Sequence, residues 1–484
     1  MKVVLINPPL IDIKTNFAGI ANIPLGITYL AAYLREKGIE VNLIDSFGEA
    51  MEKVSPFMED YVRVGLSPSE IISRIPKDTD FIGISILSSV FHTIGVEIIK
   101  EAKKNFPDVP VIIGGNHATF VYKEFLDNDA DYVILGEGEE SFLELVGGKD
   151  PSDIDGLAYK RNGKLLVNPK TKFIKDLNSL PFPARDLIPL KNYWKLGTAH
   201  GPVNNKYTSI MTTRGCPFGC RFCSSPAFWQ RTFRKVNPAR VVDEIEYCIK
   251  EFGITEFHFE DDNITLDKNH IIEICKEILR RNLKIAFNTP NGIRADTVDE
   301  EVLKWMKKAG CTHITLAPES GSERVLTLMN KKINLKHLEN VVRMLNRLKI
   351  KTCTFFILGY PGETKKDREV TRNYMKRLVK AGLDETSIGI VIPLPGAEIF
   401  AEFRKGVDYK KWEDLLITVP KWRGDYKELG RARMKLFTSF YLSQLIYHPS
   451  KIFRHIINPL FGKKETKTDM ALVRLLKLFL RRKY

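Results

Sequence analysis

The sequence predicts an α/β protein: a doubly wound parallel sheet, then a partial barrel of six βα units, then a helical extension. Three observations carry this. Short apolar runs alternate with helical segments in two series, over residues 2–146 and 208–393. A proline-rich interval with Pro151, Pro169, Pro181, Pro183, Pro189 and Pro202 separates the series. Charge is segregated: residues 1–190 hold 20 Lys/Arg and 27 Asp/Glu, residues 191–400 hold 34 and 24, and residues 401–484 hold 20 and 8. The expected boundaries are 1–146, 147–206, 207–400 and 401–484.

In the first series, KVVLI (2–6) reads as a buried strand stopped by Asn7-Pro8-Pro9, and residues 26–37 as a helix closed by Gly38. Strands follow at 41–45, 81–87, 109–115 and 132–140, with helices between and the last two strands ending in glycines. Ligands of such sheets bind beyond the strands' carboxyl ends. The interval 147–206 reads as a connector with a hairpin turn at Arg161-Asn162-Gly163. The second series places strands at 208–215, 256–262, 284–288, 313–319, 353–359 and 386–393 and helices at 238–252, 267–282, 299–309, 335–348 and 366–381. Functional residues of a parallel barrel sit at strand C-termini. Beyond 400, residues 431–447 and 470–483 read as helices, with Pro449, Pro459 and a polar stretch between them.

Composition excludes several classes. The 484 residues are 44% hydrophobic and 27% charged, which is neither disordered nor fibrous. No run of about 18 uncharged apolar residues predicts a spanning helix. All seven cysteines lie between 216 and 353, unlike a secreted disulfide framework. The N-terminus is broken by prolines too early for a signal peptide, so the cytoplasm is the expected compartment.

The sharpest signal is Thr213-Arg214-Gly215-Cys216-Pro217-Phe218-Gly219-Cys220-Arg221-Phe222-Cys223. Three cysteines in one loop after the first barrel strand suit an iron–sulfur cluster. A structural zinc site takes four ligands, and His200 and Cys248 lie outside the loop. Other strand ends carry Glu260-Asp261-Asp262, Asn291-Gly292-Ile293-Arg294 and Glu319-Ser320-Gly321. The plain alternatives are a solvated acidic strand end, a surface arginine and a helix cap. Cys248, Cys275, Cys311 and Cys353 read as small buried hydrophobes.

The C-x3-C-x2-C loop, with an aromatic before its last cysteine and six βα units around it, resembles the radical S-adenosylmethionine (SAM) superfamily over about residues 207–395. The resemblance implies that Cys216, Cys220 and Cys223 hold a [4Fe–4S] cluster whose fourth iron binds SAM. One electron from a low-potential donor, such as ferredoxin or flavodoxin, then yields a 5′-deoxyadenosyl radical. It also implies that Phe222 lies against the adenine, Glu260 and Asp262 meet the SAM amino group, Arg294 its carboxylate, and Glu319 and Ser320 its ribose. The sheet ahead of the barrel resembles a cobalamin-binding, Rossmann-like domain. Asn7, Ser85, Gly114, Gly115, His117, Thr119, Gly136, Glu137 and Gly138 are the implied contacts. No Asp-x-His-x-x-Gly motif is present. His117 is read as a pocket residue, with a cobalt ligand or a solvated loop histidine as alternatives. A sheet without a cofactor is a further alternative.

This order of domains resembles the family containing the anaerobic oxidative cyclase of chlorophyll synthesis and the hopanoid C-methylases. The implied function is modification of an unactivated carbon, with methylation favoured. Cyclisation or C–C coupling without methyl transfer is the alternative, and a non-catalytic cobalamin or SAM sensor the alternative of another class. In the tail, Leu472, Leu475, Leu476, Phe479 and Leu480 share a helical face flanked by Arg474, Lys477, Arg481 and Arg482. That pattern suits contact with the membrane's inner face and a small or lipid-like substrate, or else a helix packed on the barrel. Nucleic acid is disfavoured for want of a recognisable binding fold.

Overall fold

The computed structural model describes residues 1–14, 21–404, 411–415 and 420–481, with side chains from residue 477 onward and that of Arg404 outside the description. The first sheet has five parallel strands in the order Glu40–Asp45, Lys2–Asn7, Phe81–Ser85, Val111–Gly114, Tyr132–Ile134. Side chains alternate along Lys2–Asn7, as a pleated strand requires. Val3 and Leu5 pack with helices Leu25–Glu36 and Glu139–Val146, while Val4 and Ile6 pack with His92–Asn105 and Asn116–Leu126 on the other face.

The expected hairpin forms from Leu157–Arg161 and Lys164–Asn168, turning at Asn162 and Gly163 with φ of 52° and 74°. It is more than a connector feature: Leu157–Arg161 pairs antiparallel with Tyr132–Ile134 and extends the sheet to seven strands. A small antiparallel sheet of Leu10–Ile13, Tyr61–Val64 and Val54–Pro56 is a feature the apolar pattern does not reveal, because its strands are three or four residues long and partly polar.

The second sheet has six parallel strands in chain order: Tyr207–Ile210, Glu256–Phe259, Ala286–Ile293, Cys311–Glu319, Lys351–Leu358 and Glu385–Ile390. Among the described residues its first and last strands do not pair, so the barrel is open along one side. Helices Pro238–Phe252, Lys268–Arg280, Glu300–Lys308, Leu335–Arg347 and Lys365–Ala381 start at Asn237, Asp267, Asp299, Asn334 and Thr364. Each of these side chains accepts a hydrogen bond from a first-turn amide that the helix leaves unpaired.

One boundary departs from expectation. The first barrel strand stops at Ile210, and Thr213–Arg214 instead pairs antiparallel with Arg234–Lys235. This turn carries Arg214 to the first domain, where Nη1 donates to Glu137 Oε1 at 2.8 Å and Nη2 to Glu139 Oε1 at 2.8 Å. Arg234 Nη1 reaches Glu137 Oε2, also at 2.8 Å. All three partners of Arg214's clasp are nearly sealed from water, Arg214 itself and both glutamates being at most 7% exposed in their side chains. This corrects the expectation that Glu137 contacts cobalamin: its carboxylate is spent on the domain junction. Burial alone would raise its pKa, but Arg214 and Arg234 outweigh that and hold it below the usual carboxylate value.

His117 is a second correction. It is buried, with Nδ1 at 3.1 Å from Ser89 Oγ and Nε2 at 3.0 Å from His92 Nδ1. Trp412 of the extension lies against both imidazoles, with ring centroids 5.0 Å and 5.4 Å away, and its indole donates to Glu124 Oε2 at 2.7 Å. His117 is therefore not a solvated loop residue; it sits where the extension covers the first domain. Burial pushes the pKa of His117 down to about 3 and that of His92 down to about 4.

The extension forms helices Tyr426–Tyr447, Pro449–Leu460 and Lys467–Arg481. Pro449 opens the middle helix and Pro459 lies in its last turn, so neither proline interrupts it. The terminal helix is anchored at its start, where Lys467 N and Thr468 N donate to the Glu385 carboxylate. Met470 and Val473 are buried, and Arg474 is an electrostatic neighbour of Asp12 in the first domain. Leu475 and Leu476 are only 40% and 38% exposed; Lys477, Phe479, Leu480, Arg481 and Arg482 fall outside the described side chains.

Two outcomes follow. Arg214→Ala strands the buried Glu139 and leaves Glu137 with Arg234 alone, and should cost about 3–5 kcal/mol of stability in denaturant titrations; a loss within about 1 kcal/mol would show that the clasp does not hold the domains. For the histidines, a free imidazole protonates near pH 6.5 while the buried ones stay neutral to well below pH 5. Their contribution is thus complete above pH 6.5 and lost as pH falls towards the folded values. His117→Gln should flatten the stability decline between pH 7 and pH 5 by about 2 kcal/mol, read from paired denaturant curves.

Candidate active site

The three-cysteine loop is held open from below. Asp261, fully enclosed at the end of the second barrel strand, accepts from Thr212 N at 3.0 Å, Thr212 Oγ1 at 2.8 Å and Thr213 Oγ1 at 2.6 Å. These bonds bend the chain out of the sheet just before the cysteines. Gly215 follows with φ +96°, and a Cβ there would lie 2.2 Å from Thr232 O, so no other residue fits. The far side of the loop is pinned by Arg221 N to Met329 O (3.0 Å) and Asn330 Nδ2 to Gly219 O (2.8 Å). Burial raises Asp261's pKa to about 6, opposed by the threonine hydrogen bonds.

Cys216, Cys220 and Cys223 are half-buried and free of disulfides. Burial raises all three thiol pKa values, that of Cys223 to about 12. Each of the three lies within electrostatic reach of another. Among the described residues, no three His, Cys, Asp or Glu side chains converge on a single-ion centre. A donor set of three thiols spread over one loop fits a multi-iron cluster, whose thiolates bind separate metals.

The other predicted residues fall around this loop to differing degrees. Arg294 is buried, stacks 3.9 Å from the Phe218 ring centroid and influences Cys216 and Cys220. Its Nη2 binds Asp296 and the Lys332 carbonyl, while Nε is buried without a partner among the described residues. An unfilled donor there fits an incoming carboxylate. Asp262 faces the opening yet is closely surrounded, and burial raises its pKa. Glu319 holds a left-handed backbone, φ +61°, at the end of the fourth strand. Its carboxylate accepts from Lys331 Nζ at 2.6 Å, and that ammonium lies 5.9 Å from the Phe222 ring centroid. Glu260 Oε2 is 3.0 Å from His200 Nδ1. Burial would raise Glu260's pKa, but His200 pulls it below the usual value.

Ser320 does not reach the opening. It is fully buried, its hydroxyl 3.1 Å from Thr371 Oγ1 and accepting from Ser322 N at 3.1 Å, so the role implied for it passes to the local turn. Arg221 turns away to Glu398 and Glu402. Sequence reasoning missed Lys331, His200 and the anchoring role of Asp261. His200 lies in a proline-rich interval and Lys331 in a run of polar residues, with no motif to mark either.

At the first sheet, Asn7, Ser85 and Gly114 stand at adjacent strand ends, with Asn7 Nδ2 donating to Asp45 Oδ1 at 2.8 Å. A Cβ at Gly114 would meet nothing within 4 Å, whereas one at Gly115 would strike Ile86 O at 2.6 Å. Leu87 beside them is 64% exposed. Thr119 Oγ1 donates to Gly115 O and accepts from Gly136 N, tying two glycine turns together, and Gly138 starts the next helix. An open glycine, small polar groups and an exposed leucine make an edge suited to a large flat ligand. The nearby imidazole, His117, is turned inward to Ser89 and His92. This edge abuts the cysteine loop: Ser224 Oγ is 3.4 Å from Asn116 Oδ1, and Phe120 packs on Gly396 of the loop after the sixth barrel strand.

Comparison with known proteins agrees with this two-part site. The radical SAM superfamily model matches residues 210–375 and the B12 binding domain model matches residues 18–146. The chain is 32% identical to an uncharacterized methyltransferase of Pyrococcus horikoshii, over 92% of this chain and 91% of that one. It is 30% identical to cytidylyl-2-hydroxyethylphosphonate methyltransferase of Streptomyces wedmorensis, over 83% and 81%. The fold is similar to that of the cobalamin-dependent SAM radical enzyme OxsB, with a TM-score of 0.68 at 17% identity, covering 99% of this chain and 80% of that one. The chain belongs to the radical SAM superfamily, among the enzymes that join a B12-binding domain to the radical SAM domain and use a [4Fe–4S] cluster, SAM and cobalamin.

Proposed function

We propose that this enzyme transfers a methyl group to an unactivated carbon of a small or lipid-like molecule. The observation that carries the reading is the direct apposition of the cysteine loop and the first sheet's carboxyl edge, through Ser224 and Asn116. A substrate between them touches both cofactor sites at once, as carriage of a methyl group from one to a radical made at the other requires. The names of the two methyltransferase relatives support the same reading.

Cys216, Cys220 and Cys223 hold three irons of the cluster. Arg294 offers its free Nε to the SAM carboxylate, with Phe218 stacked beneath to fix the guanidinium plane. Glu260 and Asp262 receive the amino group, and Phe222 with the Glu319–Lys331 pair forms the wall beside them. Asn7, Ser85, Gly114 and Gly115 floor the cobalamin side. When bound, these groups supply one-electron cleavage of SAM and a methyl carrier. The chain's own contribution is position: a loop held by Asp261 and Asn330 faces an edge held by Arg214.

Cys220→Ala should abolish the broad absorbance near roughly 400 nm and lower bound iron; retained iron and absorbance would overturn the ligand assignment. Anaerobic incubation with SAM and a low-potential reductant should release 5′-deoxyadenosine and S-adenosylhomocysteine, with a product about 14 Da heavier. A product about 2 Da lighter, without S-adenosylhomocysteine, would replace methyl transfer by oxidative cyclisation. Absence of both nucleosides would exclude the catalytic reading.

A further inference from the structure

The middle helix of the extension, Pro449–Leu460, is packed inside out. Its buried residues are Lys451, His455, Asn458 and Pro459, while Phe453, Ile456, Ile457 and Leu460 are 51–69% exposed. The polar face is fixed by specific bonds. Lys451 Nζ lies 3.1 Å and Arg454 Nη1 3.0 Å from Asp384 Oδ1, and His455 Nδ1 and Asn458 Nδ2 bind Asp469 at 2.6 Å and 3.0 Å. Rotating the helix to bury its apolar face would break all four. The apolar face is therefore held outward.

The preceding helix continues the feature. Gln444 is buried and donates to Leu383 O and Asp384 O, while Leu442, Leu445 and Ile446 on its other side are 54–74% exposed. Phe461, just past the middle helix, is 77% exposed. Eight bulky apolar side chains at such exposure present on the order of 1,000 Å², against about 300–600 Å² for the largest patch on an ordinary monomer.

Charge selects among occupants. From Leu429 to Lys464 the chain has no Asp or Glu; Arg431, Lys435 and Lys463 are exposed, while Lys451 and Arg454 are spent on Asp384. Lys463, next to the exposed Phe461, is itself exposed. No described helix is long and apolar enough to cross a membrane, so a bilayer contact here is one of surface insertion. A second copy docking through the same faces would set one acid-free, basic segment against another, like charge against like.

We propose that the outward faces of the helices spanning residues 442–461 dock this protein on an anionic lipid bilayer, the apolar ridge entering the headgroup region with Lys463 at its margin. This surface lies on different helices from the terminal one, where Leu475 and Leu476 are 40% and 38% exposed. The proposal stands whatever bond the active site makes.

The test is sedimentation of the full-length protein with vesicles of mixed phosphatidylglycerol and phosphatidylcholine. The triple variant Ile446→Glu, Ile456→Glu, Leu460→Glu places carboxylates at exposed positions, so the fold is retained, which circular dichroism checks. It should lower vesicle partition about tenfold or more, and the wild type should bind less as salt is raised. The double variant Leu475→Glu, Leu476→Glu should bind nearly as the wild type does. The proposal is overturned if the triple variant partitions unchanged, or if only the double variant loses binding. It is equally overturned if light scattering shows that the triple variant merely turns a dimer into monomers while vesicle binding persists.

Discussion

The structure depends on one buried cation. Arg214 stands two residues before Cys216, and its guanidinium bridges Glu137 and Glu139 of the other domain. One planar fork fixes two carboxylates with two separate nitrogens, an arrangement a lysine's point charge cannot reproduce. The cluster loop therefore inherits its position from the first domain as well as from the barrel. A cobalamin domain and a radical SAM barrel joined only by a flexible connector would sample many separations. With Arg214 and Arg234 both on Glu137, the separation is set by salt bridges that begin two residues before the first cluster cysteine.

The same economy appears inside the barrel. Asp261 lies between two carboxylates facing the site, but its own Oδ1 is turned down to Thr212 and Thr213. Three consecutive acids thus divide their work: Glu260 takes His200, Asp261 shapes the loop, and Asp262 faces the opening. Only Asp261 of the three is sealed from water, Glu260 being half-buried and Asp262 exposed, so the run does not bury three like charges together. Glu319 makes the parallel case at the fourth strand, where a left-handed backbone is kept by a buried ion pair with Lys331.

Much of this was legible from the chain alone, and the exceptions share a cause. The two parallel sheets, five of the barrel helices and the cysteine loop follow from local pattern: apolar runs, N-cap residues and C-x3-C-x2-C spacing. The partners of Glu137 and His117 are hidden in the sequence, because a polar residue at a strand end looks the same whether it meets a ligand or another domain. Only the fold brings Arg214, seventy-seven residues later, onto Glu137, or Trp412 onto His117. Ser320 is opaque for a more local reason, its hydroxyl being taken up by Thr371. Residues without a motif, such as Lys331 and His200, were invisible for the same reason that made Arg214 opaque.

The extension shows how that ambiguity extends to charge. An excess of basic residues in the last segment suggests a solvated cationic surface, yet several of these cations face inward. Lys451 and Arg454 neutralise Asp384, and Lys467 lies over the Phe355 ring. In an ordinary amphipathic helix burial of apolar area holds the element down and polar groups face water. Here ion pairs and amide hydrogen bonds hold the helices down, which frees the apolar face from any duty to the core. Specific polar anchors fix rotation about the helix axis more sharply than apolar packing does, since a slipped register leaves charges buried and unpaired. A surface meant to present Phe453, Ile456 and Leu460 in one fixed orientation is better built on such anchors than on a hydrophobic seam.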